Sequence, residues 1–157
     1  MKRTEALRPL SREHLVALTV AKDLREATDP AAAGKEFLEF WREEGRNHFR
    51  AEEEVLLPVW ALHAEVDRAG VDRMLAEHLE IRREVLRLEA EPATLSQMQR
   101  LGQLLHDHVR FEERELFPRV EEDLDEAAAD QLARQMERFT ASLGRKAHRL
   151  AGRVGRS

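Results

Sequence analysis

HFRAEEEVLLPVW, running from His48 to Trp60, returns sixty positions later as HVRFEERELFPRV, from His108 to Val120. Six of the thirteen positions are identical: His48/His108, Arg50/Arg110, Glu52/Glu112, Glu53/Glu113, Leu56/Leu116 and Pro58/Pro118. Each copy carries an H-x-x-x-E step. On a helix, that spacing puts an imidazole and a carboxylate one turn apart on one face. A shorter echo lies upstream of each copy, as Glu13-His14-Leu15 and Glu77-His78-Leu79. The chain thus reads as a doubled helical hairpin, each half offering a His and then a His-x-x-x-Glu. Together the halves offer four histidines and two carboxylates, a donor set for two transition-metal ions.

Working outward from the repeats, the rest of the chain is helical in pattern. The first helix is expected from about Leu10 to Ala27, with Ser11 as its cap, and Asp29-Pro30 starts the second. The second helix is expected from about Ala31 to Arg68, kinked at Pro58, with a break at Gly70. Val71, Met74, His78, Ile81, Val85 and Leu88 form an apolar stripe at helical spacing on the third, with His78 in its midst. The fourth runs from about Thr94 to Glu122, with Leu101, Leu104, Leu105, His108, Phe111 and Glu112 facing inward and a second kink at Pro118. Asp125 opens a fifth, whose Leu132, Met136, Phe139 and Leu143 need cover, either on their own bundle or in a dimer. Short links between long helices predict an all-α, up-down-up-down four-helix bundle with an additional C-terminal helix. Residues 1–157 are expected to form one domain, with the core bundle at about 10–122 and the last helix at about 125–150.

Composition narrows the chemistry. The 157 residues include no Cys, which excludes disulfides, thiolate ligands and thiol catalysis. A net charge of −5 argues against nucleic acid as a partner. No apolar run approaches the ~18 residues of a membrane span, and the N-terminus does not resemble a signal peptide. The expected setting is therefore cytoplasmic, without membrane or nucleic-acid partners, as a monomer or weak dimer. The basic stretch from Arg145 to Arg156, with His148, reads as a solvated helix end.

The inward positions of the first four helices hold His14, His48, Glu52, His78, His108 and Glu112. Burying six such groups at one level is very costly unless they are paired or metal-bound. Imidazole with carboxylate suits Fe, Mn or Zn. Two carboxylates that each bridge both ions leave two histidines per ion and open coordination positions. Glu44, one turn before His48, is either an added ligand, an outer partner or a surface group. Glu53 and Glu113 turn away from the ligand face and are expected to be solvated or salt-bridged. His106 is read as structural or supporting, and His63 as a non-ligand.

Ferritin-like bundles use Glu-x-x-His, but the residues three before the histidines here are Ser11, Gly45, Leu75 and Leu105. The order His, His-x-x-x-Glu, His, His-x-x-x-Glu, with the phrases HFRAEEEVLLP, EHLEIR and HVRFEERELFP, instead resembles the hemerythrin-like (HHE cation-binding) domain family over about Leu10 to Glu122. The resemblance implies a non-haem di-iron centre, two iron ions bridged by Glu52 and Glu112 with His14, His48, His78 and His108 as terminal ligands. Oxygen-carrying members have a fifth histidine from an H-x-x-x-H step on the third helix. Met74 and Arg82 flank His78 here, so the pattern resembles the four-histidine bacterial branch. That branch includes iron-centre repair proteins, whose Cys-bearing extra domain this sequence lacks. An additional open position favours reaction with a small ligand (O2, NO or peroxide) over simple carriage. The absence of Tyr leaves no phenol to assist. The alternative is a non-catalytic role in iron storage, sensing or donation, or a structural metal site, with Zn or Mn as possible occupants.

Overall fold

The computed structural model describes the backbone of residues 3–154 and the side chains of residues 3–144. The fold is all-α, with five helices and no strand among the described residues. Helix α1 spans Arg8–Arg25. Helix α2 is continuous through Pro30–Phe40, Trp41–Gly45, Arg46–Ala51, Glu52–Leu56 and Leu57–His63, the second and fourth of these being π-helical turns. Helix α3 spans Arg68–Ala90. Helix α4 joins Leu95–Phe111, a π-turn at Glu112–Leu116 and Phe117–Asp123. Helix α5 spans Glu126–Val154. The basic stretch 145–156 and His148 lie among residues whose side chains are outside the described set.

Local chemistry sets three of the five helix starts. Asp29 accepts from the backbone N–H groups of Ala31 and Ala32 at 3.1 and 3.2 Å, and Pro30 follows it in the first turn of α2. Thr94 and Gln97 form a reciprocal capping box at the start of α4. Asp125 accepts from Ala128 N–H at 2.8 Å and starts α5.

Four local expectations are corrected. Ser11 does not cap α1: the helix starts at Arg8 with Pro9 in its first turn, and Ser11 Oγ donates to Glu113 instead. Helix α2 stops at His63, not near Arg68, because Ala64 turns extended so that it and Val66 can pack on the core. The break expected at Gly70 falls earlier; α3 begins at Arg68 and buries Gly70 in its first turn. The disturbances at Pro58 and Pro118 take the form of π-turns directly before each proline. A widened turn accommodates a ring that has no N–H and would collide with the preceding turn.

The four-helix core alternates direction, and its apolar residues fall into two separate clusters. On α1, Leu10 belongs to one cluster and Ala17 to the other; on α3, Met74 and Ile81 divide the same way. On α2 and α4 the order reverses, from Trp41 to Val55 and from Leu105 to Leu116, as antiparallel neighbours require. Between the members of every pair lies a histidine or a His-x-x-x-Glu step. The interior is thus two oily layers with a polar layer between them. Helices α1 and α4 approach closely at Gly102, where a Cβ would come within 2.7 Å of the Ala21 carbonyl oxygen. Helix α5 closes one cluster through buried Leu132 and Met136, with Phe139 packed beside them, so three of the four residues of its apolar stripe lie on its own bundle.

Candidate metal centre

The six residues of the polar layer meet at the middle of the bundle. His14 comes from α1, His48 and Glu52 from α2, His78 from α3, and His108 and Glu112 from α4. All six are buried; Glu52, Glu112 and His78 are 0% exposed. Each His-x-x-x-Glu step does what its spacing demands: His48 Nε2 lies 3.0 Å from Glu52, and His108 Nε2 lies 3.1 Å from Glu112. The partner histidines complete the ring. His14 Nε2 is 2.9 Å from Glu112 and 3.6 Å from Glu52, while His78 Nε2 is 3.2 Å from Glu52 and 3.6 Å from Glu112.

These atoms form two overlapping groups able to hold a metal ion. One is His14, His48, Glu52 and Glu112; the other is Glu52, His78, His108 and Glu112, with the donor atoms of each group within 4.8 Å of one another. Both carboxylates belong to both groups. Although the N–O separations are short, none of the four Nε2 atoms and none of the four carboxylate oxygens makes a hydrogen bond. A buried polar atom without a partner costs ~1–3 kcal/mol, and more when charged. Eight such atoms aimed at a common interior are the donor set a pair of cations would satisfy, so the residues present fit the group that their pattern implies.

The outward ring nitrogens are handled differently. Glu113 meets His14 Nδ1 at 2.6 Å, Glu13 meets His48 Nδ1 at 2.5 Å and Glu53 meets His78 Nδ1 at 3.1 Å. The exception is His108 Nδ1, which makes no hydrogen bond and has Glu77 3.5 Å away. A carboxylate on Nδ1 fixes the ring and leaves the Nε2 lone pair directed inward. The arrangement repeats the internal duplication. The glutamate before the first His of each half, Glu13 or Glu77, serves the His of that half's His-x-x-x-Glu step. The glutamate after each central carboxylate, Glu53 or Glu113, serves the first His of the other half. Glu53 and Glu113 are therefore salt-bridged, to Arg82 and Arg3 respectively, and also hold imidazoles. Sequence reasoning missed that second role, though the signal was present in the repeated Glu-His and Glu-Glu pairs.

The electrostatics follow from this packing. Burial alone would lower the histidine pKa values, but the surrounding carboxylates outweigh it. They raise His48 to about 9 and His78 to about 11, with His14 and His108 also raised. Burial and mutual repulsion would push Glu52 up, yet the imidazoles hold both it and Glu112 well below the usual carboxylate range. Burial likewise opposes ionisation of Glu53 and Glu113, but His78 with Arg82, and His14 with Ser11 and Arg3, lower each to about 2.

The remaining residues singled out in the sequence stay outside the cluster. Glu44 is exposed and sits on the π-turn Trp41–Gly45. His63 is exposed and pairs with Gln131 at 2.6 Å. His106 is partly exposed, beside Asp107. No helix among the described residues is long and apolar enough to cross a membrane.

Comparison with protein-family models gives a match to the hemerythrin HHE cation binding domain over residues 6–120. Comparison with curated proteins finds no match. Comparison with solved structures finds none either.

Proposed function

Because the chain belongs to the hemerythrin HHE cation-binding domain family, we propose that its cation centre is a pair of non-haem irons that binds or reacts with a small ligand: O2, NO or peroxide. In this reading His14 and His48 would hold one ion, His78 and His108 the other, and Glu52 and Glu112, which belong to both groups, would serve both. The observation that carries it is the set of eight inward donor atoms without hydrogen bonds, divided into two groups that share both carboxylates. Four imidazole nitrogens and four carboxylate oxygens, with no thiolate, suit iron in this geometry and also admit manganese or zinc.

A carboxylate-bridged iron pair, when bound, supplies open coordination and exchangeable electrons to a small ligand. The chain supplies the rest. Glu13, Glu53 and Glu113 hold the Nδ1 protons of their histidines and so orient the Nε2 donors. Phe49 lies flat on His78, with ring centroids 3.7 Å apart and planes 8° from parallel, and Phe117 stacks on His14 at 5.2 Å. These rings exclude water and lower the local dielectric, which strengthens the charge interactions inside. Met74 and Arg82, one turn either side of His78, offer no further imidazole, so the six residues would leave coordination positions free for a small ligand.

The test is to load the protein with iron, reduce it and expose it to O2 or NO while following absorbance. A charge-transfer band and oxidation or nitrosylation of the iron are expected. A flat spectrum with iron bound would sink the reading.

A second reading has its own observation. The polar layer divides the apolar interior into two clusters, so ions there also staple the halves of the core. If stapling is their whole role, metal removal unfolds the protein while the loaded form shows no multiple turnover of hydrogen peroxide.

A further inference from the structure

Two of the three π-turns have an evident cause in the prolines that follow them. The third, Trp41–Gly45, precedes no proline, and the corresponding stretch of α4, residues 101–105, is regular α-helix. A π-turn widens one helical turn, redirects the side chains on it, and is frequent at functional sites. Trp41, Glu44 and Gly45 of this turn line a cavity of about 20 Å³ between α1, α2 and α4, with Ile81 of α3 also on its wall. The inner end of the cavity is formed by His14, His48 and His108, all buried; its outer end includes Glu13 and Glu44, both exposed. Ala17, Phe37 and Phe49 contribute apolar wall. Gly45 is where bulk would matter most. A Cβ there would lie 3.0 Å from Trp41 Cε3 and 3.2 Å from Phe40 Cε1, pressing both rings. His78, covered by Phe49, does not line the cavity.

We propose that the π-turn Trp41–Gly45, together with Ala17 of α1, builds a narrow apolar passage. It admits single small uncharged molecules, such as nitric oxide or dioxygen, to the centre and turns away anions and organic substrates. The inference rests on the reading of the centre given above and adds the residues that set its selectivity. Size is the first filter: a cavity must offer ~10–15 Å³ to hold even one water, so the space of about 20 Å³ here has room for a single diatomic molecule or xenon atom and none for an organic substrate. Polarity is the second, because walls of aromatic and aliphatic carbon give a hydrated or strongly hydrogen-bonding guest nothing in return for its lost water. Charge is the third, since the carboxylates of Glu13 and Glu44 at the outer end oppose anions.

The test uses xenon and nitric oxide as probes. Xenon enters dry apolar cavities, so crystals of the iron-loaded protein under xenon pressure should show a xenon atom beside Trp41 and Phe37; its absence there overturns the passage. Ala17→Leu should leave iron content per chain unchanged while slowing nitric oxide binding to the reduced protein by roughly tenfold or more. An unchanged rate in a fully loaded variant overturns the passage as well. If Ala17→Leu does not fold, the xenon result on the unaltered protein decides. Unaltered protein that takes up xenon but never binds nitric oxide would contradict the proposed function of the centre, and not the passage.

Discussion

Glu113 meets Nδ1 of His14 at 2.6 Å across 99 residues of sequence, and Ser11 Oγ and Arg3 converge on the same carboxylate. Arg3 also pairs with Glu121, which ties the chain's first described residue to the end of α4. The carboxylate thus fixes one imidazole of the centre while being fixed itself. Glu113→Gln should leave the fold intact and weaken metal binding ~10–100-fold, read by competition with a chelator. Glu54→Gln, on an exposed residue whose partner among the described residues is Arg50, should change nothing. Equal effects from the two variants would deny Glu113 its role.

The pH dependence has a definite sign. In the metal-free protein the surrounding carboxylates hold the histidines above the ordinary imidazole value, His48 at about 9 and His78 at about 11, which favours their charged form at neutral pH. Their stabilising pairing is fully present below the unfolded value of ~6.5 and is lost as pH rises through the folded values. Glu52 and Glu112 are depressed, so their contribution is present above the ordinary carboxylate value of ~4.3 and is lost as pH falls below it. The metal-free protein should therefore be most stable between about pH 4.5 and 6.5, and less so in alkali. Metal needs neutral imidazoles, so its binding near pH 7 should release on the order of one proton or more per ion. Calorimetry in two buffers of different ionisation enthalpy measures this, and binding without proton release would contradict it.

His78 and His63 offer a direct contrast. His78 is fully buried with its Nε2 aimed at Glu52 and Glu112; His63 is exposed and bonded to Gln131. His78→Ala should strip most of the metal from the protein, while His63→Ala should leave the content unchanged. Elemental analysis of both variants, purified in parallel, gives the comparison.

The fifth helix is expected to act as part of the core. Leu132 is 0% exposed in a cluster with Leu7, Trp60 and Val120. Leu132→Ala should cost ~2–5 kcal/mol of stability in denaturant unfolding, with metal stoichiometry unchanged. A negligible cost would mean that α5 does not pack on the bundle as described.

Much of this is legible in the sequence alone, because periodicity and duplication are local and repeated. The stripe through Val71, Met74, His78, Ile81 and Val85 and the two His-x-x-x-Glu steps each needed only a helical period to be read. What escaped depended on long-range packing. No residue near His63 signals a stop; Ala64 and Val66 leave the helix because a core surface waits for them. Ser11 looked like a cap because a hydroxyl near a helix start usually is one, yet it is drawn to a carboxylate 102 residues away. The holding role of Glu53 and Glu113 was hidden for the same reason: their partners lie on other helices. The π-turn at Trp41–Gly45 has no proline to announce it.

The eight buried donor atoms are proposed to hold two ions. Quantitative metal analysis of the protein as purified, with Glu52→Ala alongside, tests that proposal most directly. Two ions per chain in the unaltered protein, and loss of both in the variant because Glu52 belongs to each group, are expected. Metal-free protein that is equally stable with and without added iron, manganese or zinc would contradict it.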